Sequence, residues 1–306
     1  MSLTVWHKPV LAGEVIEWLR IRPDGTYVDA TVGTGGHALE IAQRLTTGRL
    51  VGLDRDEQAL AAARERLKES DYERQVTLVQ ANFSRIEEVA RELGLPPVDG
   101  LVADLGVSTL QLDTAERGFA FRYRAPLDMR MDRSSPLTAE MIVNEWREPD
   151  LADLLFHFGE EHDARRIARA IVRARPIRDT EHLATVVAGA RKAKGRQKLH
   201  PATKTFLALR IAVNREMEEL GQFLLRAPAT LAQGGRWVIL SYHSLEDRQV
   251  KQTFRRLAQA GEMKVLTKKP IMPTTEEIEQ NPRARSARMR VAEKIGAAGP
   301  QEQDRG

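Results

Sequence analysis

The sequence predicts an α/β protein: an open, doubly wound, mainly parallel sheet interrupted by an inserted block of helices. Three observations carry this. Short apolar runs alternate with segments of helical periodicity from Tyr27 to Leu105, a long stretch of helical periodicity without strands follows, and strands resume at Gly234.

The chain opens with an amphipathic helix over 12–19, and Pro23-Asp-Gly25 turns it into a first strand over 27–31. Gly33, Gly35 and Gly36 then make a tight turn into a helix whose apolar face is Leu39, Ile41, Ala42 and Leu45. Such a turn lets a ligand sit against outward-pointing N–H groups. A second strand over 49–54 ends in Asp54 and runs into a helix over 57–68. A carboxylate at that place suits the two hydroxyls of a ribose. Spacing alone fits a dinucleotide site and an S-adenosylmethionine site equally, and a turn without ligand stays open. Ala38 stands where the G-x-G-x-x-G fingerprint needs its third glycine, which weighs against the dinucleotide.

A third strand over 76–80 leads to Asn82 and Phe83, at the edge where open α/β sheets bind ligands. Phe83 either covers an adenine ring or packs in the core, and Ser84 with Glu87 forms a capping box for the next helix. The fourth strand, 98–105, is apolar except near its end. Asp104 must therefore be buried with partners or stand at the ligand edge, and Gly106 opens a loop that favours the edge. The stretch 113–133 is loop-like, and helices are expected over 138–146, 150–158, 163–175, 180–191 and 203–231. The sheet returns with a strand ending near Ser244, a helix over 246–260, and strands over 263–268 and 287–293. Alternation in the last strand places Arg288 and Arg290 on one outward face, to bind phosphate or to solubilise a sheet edge. These boundaries give a sheet domain of 1–111 with 203–306, and a helical insertion of 112–202 for substrate recognition.

Composition narrows the function classes. The chain has 306 residues, 42% hydrophobic and 29% charged, and no cysteine, which excludes disulfides, thiolate zinc sites and cysteine nucleophiles. No apolar run is long enough to span a membrane, and 1–20 lacks the apolar core of a signal peptide, so a cytoplasmic protein is expected. Seven scattered histidines show no metal-ligand spacing. From Arg165 to Arg215 there are fourteen Lys or Arg residues against two acids, Asp179 and Glu181, a bias that suits either a polyanion partner or solvated helix faces. The loop 192–201 within it reads as a phosphate contact or a linker. The oligomeric state stays open, with a homodimer as one option.

The segments His7-Lys-Pro-Val-Leu, Gly33-Thr-Gly-Gly-His37, Asp104-Leu-Gly-Val-Ser, Ala115-Glu-Arg-Gly-Phe, Pro126-Leu-Asp-Met-Arg-Met-Asp132, Pro201-Ala-Thr-Lys-Thr-Phe206, Ser241-Tyr-His-Ser-Leu-Glu-Asp-Arg248 and Asn281-Pro-Arg-Ala-Arg-Ser286 together resemble the RsmH (MraW) family. The resemblance implies a seven-stranded class I methyltransferase (Rossmann-like) sheet and S-adenosylmethionine as cofactor. It implies methylation of N4 of a decoding-region cytosine in small-subunit ribosomal RNA. It also implies cofactor contacts from Gly33, Gly35, Gly36, His37, Asp54, Phe83, Asp104 and Gln111. Where the family usually shows Ser-Ser-Pro-Gln this chain has Ser108-Thr-Leu-Gln111, and loss of the proline is expected to loosen that loop. Asp104 and His243 are the candidates for catalysis, Asp104 as an acceptor for the amino hydrogens and His243 as a side chain at the fifth strand's end. A DNA amino-methyltransferase should carry a Pro-Pro-aromatic segment after Asp104, which is absent, and a non-catalytic ribosome-assembly factor would bind RNA without the cofactor.

Overall fold

The computed structural model describes Trp6, residues 8–191 and residues 200–296; the loop expected to contact phosphate lies mostly outside them. It divides into two units, one of residues 1–106 and 219–306 and one of Val107–Glu218.

The first unit holds a seven-stranded sheet of β1 (Thr26–Asp29), β2 (Arg49–Asp54), β3 (Val76–Gln80), β4 (Val98–Asp104), β5 (Leu231–Ser241), β6 (Met263–Val265) and β7 (Arg288–Lys294). Their order is β3-β2-β1-β4-β5-β7-β6. β1 to β5 are parallel and β7 is antiparallel to both of its neighbours, the methyltransferase plan rather than a wholly parallel dinucleotide sheet. One face carries Tyr27, Leu50, Val102, Val238, Leu240 and Met289 against α1 (Ala12–Leu19), α2 (Gly36–Ala42) and α3 (Glu57–Glu69). Gly100 is required here because a Cβ would stand 2.7 Å from the Tyr27 ring. Further along the chain α4 (Ile86–Glu92) follows β3 and precedes β4.

The second unit is helical, with α5 (Thr109–Asp113), α6 (Ala139–Glu145), α7 (Glu148–Gly159), α8 (Ala164–Arg173), α9 (Thr180–Ala190) and α10 (Thr203–Val213). Its core joins Leu127, Met129, Ile142, Leu155, Ile167, Ile171, Leu183 and Leu209. The fully buried Arg117 donates to the carbonyls of Arg130 and Met131, so the non-helical stretch of this unit is tied down by a side chain rather than by a ladder. On α8 the buried face is Ala164, Ile167, Ala168 and Ile171, and Arg165, Arg166, Arg169 and Arg173 are exposed.

Four expectations change. The helix expected over 203–231 is two helices, α10 and α11 (Glu216–Thr230), because Asn214 spends its side chain on the Met131 N–H and the Met129 and Arg210 carbonyls while Arg215 takes a left-handed φ of 50°. The chain consequently rejoins the sheet unit at Glu219, and α10 belongs to the helical unit. Ser84 does not cap α4: Asn82 accepts from the Ser84 N–H and starts a short 3-10 turn, Phe83–Arg85, ahead of the helix. Finally, β7 is an interior strand. Arg290 is buried against Asp247 of α12 (Ser244–Gln259), and so does not solubilise an edge. The remaining helix of the first unit is α13 (Thr275–Gln280).

Candidate active site at the carboxyl edge of the sheet

Register decides which side chains meet. Asp29 pairs with Gly52 and Val102, Gly52 lies two residues before Asp54, and Val102 lies two before Asp104. Side chains alternate along a strand, so Asp29, Asp54 and Asp104 share the sheet face that carries α2. Asp104 in turn pairs with Leu240, which puts Tyr242 on that face as well. Three carboxyls thus surround the glycine turn.

The turn is built by the backbone. Ala30 donates to the Val102 carbonyl at 2.8 Å, Val32 to the Leu53 carbonyl at 2.7 Å, and Gly35 to the Val32 carbonyl at 2.8 Å. Gly35 has φ 80° and its missing Cβ would lie 3.3 Å from the Ala63 Cα, so both conformation and space demand glycine. Asp54 closes the turn from the side: Oδ2 accepts from the Gly33 N–H and Oδ1 from the Asp56 N–H, each at 2.9 Å. Each oxygen keeps a second lone pair, enough for two hydroxyls. Burial lifts the Asp54 carboxyl to about 6, with the two N–H donors opposing.

Asp104 is the most connected of the three. Its N–H donates to Thr31 Oγ1 at 2.6 Å, its Oδ1 accepts from the Tyr242 hydroxyl at 2.7 Å, and its Oδ2 lies 3.5 Å from His37 Nε2. Burial pulls His37 toward neutrality, but Asp104 and Asp29 outweigh it and its pKa is raised. Asp29 is buried to 1%, accepts from the Thr31 N–H, and has an Oδ2 without a partner among the described residues. Burial drives it up to about 7 against the pull of His37. An acid-rich, partly unsatisfied pocket of this kind suits a cationic ligand.

Phe83 is half-buried and stands edge-on to Phe223, with centroids 5.2 Å apart, at the end of an aromatic row that continues to Trp237 and Phe254. It both packs against Phe223 and keeps part of its ring exposed.

His243 stands just past the end of β5, at the strand end where it was expected. It caps α12: its Nδ1 accepts from the Glu246 N–H at 3.4 Å, Glu246 accepts in return from the Tyr242 and His243 N–H groups, and His243 Nε2 lies 3.1 Å from Glu246 Oε1. The imidazole is engaged in holding the helix start, and the side chain that reaches Asp104 from this strand end is Tyr242. Sequence reasoning missed Tyr242 because a lone tyrosine beside a histidine reads as core. The usable signal was parity with the strand residue opposite Asp104. Gln111 belongs to the other unit. There its Oε1 accepts from the Ser108 N–H at 3.0 Å and its own N–H donates to Ser108 Oγ at 3.2 Å, a capping box that holds the start of α5 without the family's proline. Asp29, also missed, is legible only as an acid in a fully buried strand.

The site residues fit S-adenosylmethionine: hydroxyl acceptors at Asp54, a part-exposed ring at Phe83, and unsatisfied buried carboxyl capacity at Asp29 for a cation. Comparison with known proteins agrees. The profile of the MraW methylase family matches residues 4–295. A ribosomal RNA small subunit methyltransferase H from Koribacter versatilis is 49% identical over 295 residues, covering 94% of this chain and 93% of its own length. The protein of that name from Cyanothece sp. is 50% identical over 291 residues, covering 95% of each.

Proposed function

Since the chain belongs to the MraW methylase family, whose relatives are named for small-subunit ribosomal RNA, we propose that it methylates the exocyclic N4 of a cytosine in the decoding region of that RNA. It is an S-adenosylmethionine-dependent methyltransferase. The observation that carries the finer reading is Asp104, held by Tyr242 and facing His37 at the carboxyl edge beside the glycine turn.

The bound cofactor supplies a sulfonium methyl that is already activated, so the protein's task is orientation and exclusion of water. Asp54 takes the ribose hydroxyls, Gly33, Gly35 and Gly36 admit the close approach, His37 opens α2 beside it, and Phe83 lines the adenine. Gln111 rests on the family resemblance alone. The N4 lone pair of cytosine is delocalised into the ring, so a carboxylate accepting an amino hydrogen favours pyramidal nitrogen and receives the proton once the new C–N bond has formed. Two contacts support Asp104 in that role: one oxygen accepts from the Tyr242 hydroxyl and the other faces His37. His243 supports the same strand end as a helix cap.

The helical unit supplies the RNA clamp in this reading. Arg165, Arg166 and Arg173 are exposed and form no ion pair among the described residues, and Arg169 meets only Glu148, at 3.3 Å. Phosphate contacts of this kind hold RNA in place without reading its sequence, and the target base must be unstacked to present its amine. The test is transfer of labelled methyl to small subunits lacking the modification, with the product nucleoside identified by mass spectrometry. N4-methylcytidine is expected. No transfer, from folded protein that binds cofactor and RNA, would sink the reading in favour of an assembly factor or another target.

A further inference from the structure

We propose that Arg288, with Arg285 on the segment leading into β7, holds a phosphate of the RNA strand next to the nucleotide presented to Asp104. The inference rests on the RNA reading above and adds to it a binding site in the sheet unit itself.

The first observation is an imbalance of charge. Asp247 is bonded twice by the buried Arg290, from Nε at 2.7 Å and from Nη2 at 3.2 Å. Arg288 reaches the same carboxylate with one N–H, at 3.4 Å, and its side chain stays 40% exposed. One carboxylate therefore faces two guanidiniums, and the cluster keeps a positive charge. The other acid in the first turn of α12, Glu246, is taken by the His243 cap. Arg285 is exposed and has no partner among the described residues. A guanidinium carries five N–H donors in a planar fork that matches phosphate, so Arg288 has most of its donors left to offer.

Position is the second observation. Arg288 pairs with Ser241, the last residue of β5, so it stands at the same carboxyl edge as the candidate active site. Asp104 pairs with Leu240 and Leu240 with Met289, which puts Arg288 two strands over from Asp104 and one residue nearer the edge. Two strand spacings amount to roughly 10 Å, within reach of the nucleotides flanking the target base. Arg288 points to the α12 face and Asp104 to the α2 face, so a strand crossing the edge would lay its base on one side and its phosphate on the other. Protection of a sheet edge does not account for the charge, because β7 is hydrogen-bonded on both sides.

The test compares the full-length protein with Arg288→Gln, Arg288→Lys and Arg285→Gln, measuring fluorescence anisotropy with a short single-stranded RNA carrying the target cytosine over a range of KCl concentrations. Arg288→Gln should bind RNA about tenfold more weakly at low salt, with the log–log salt slope reduced by about 0.7, the share of one phosphate on a single strand. Arg285→Gln should move in the same direction, and Arg288→Lys should keep the slope. Cofactor affinity and the unfolding midpoint should match the unsubstituted protein. Wild-type RNA affinity and slope in both glutamine variants of an enzyme that still methylates RNA would overturn this inference alone, as would weaker binding with an unchanged slope. An unsubstituted protein that neither binds nor methylates RNA would overturn the functional reading beneath it.

Discussion

Asp54 and Tyr242 set the behaviour of the site one side chain at a time. The Asp54 carboxyl titrates near 6, above its ordinary 3.8, so below that pH the proton competes with the ribose hydroxyls for the same lone pairs. Cofactor affinity should accordingly hold above about pH 7 and fall toward tenfold per unit below 6. In calorimetric titrations Asp54→Asn should bind weakly at every pH and keep only the dependence that Asp29 sets near 7, and a flat profile for the unsubstituted protein would remove the ribose assignment. The same raised pKa means that Asp54's contribution to the stability of the ligand-free fold is full below about 4 and fades as pH rises through 6. Tyr242→Phe removes one donor from Asp104. It should cost on the order of 1–2 kcal/mol in denaturant unfolding and lower kcat at saturating cofactor; unchanged kcat in the folded variant would mean that Asp104 needs no orientation. Asp54 was legible in the sequence because an acid closing an apolar strand, soon after a glycine turn, has few other uses. Tyr242 and Asp29 were not, since their partnership with Asp104 exists only through cross-strand register.

Elements were read well where local pattern decided them. β2 and β3 fall where their apolar runs lie, and α8 shows the arginine and apolar faces that its spacing implies. They were misread where a tertiary hydrogen bond overruled a local preference: Asn214 breaks a continuous helical pattern, and Asn82 displaces Ser84 as a cap. His243, a candidate for the chemistry, also holds a helix start. Asparagine is among the best residues at that position and alanine among the poor ones. His243→Asn should therefore keep both fold and methyl transfer, while His243→Ala loses about 1 kcal/mol. Loss of transfer by well-folded His243→Asn would return the imidazole to the reaction.

The molecule as a whole divides into a sheet unit, which holds every proposed cofactor residue but Gln111, and a helical unit that carries exposed arginines. Reversing the charges of Arg165, Arg166 and Arg169 should weaken RNA binding at least tenfold and flatten its salt dependence, with cofactor affinity unchanged by calorimetry. Equal RNA affinity would leave α8 a solvated face and no more. The division between the units could be seen in the sequence as a loss of strand periodicity, but its second boundary could not, because α10 and α11 carry one nearly continuous pattern. The same division imposes an order on folding. Val102 in the middle of the sheet pairs with Val238, and the whole helical unit lies between them in the chain. As the protein is synthesised, β4 emerges with one apolar edge unpaired and keeps it until the ribosome has made the insertion and β5. The nascent chain is most exposed to aggregation in that interval, and slow closure of this long-range pairing is expected to limit the rate at which the sheet forms.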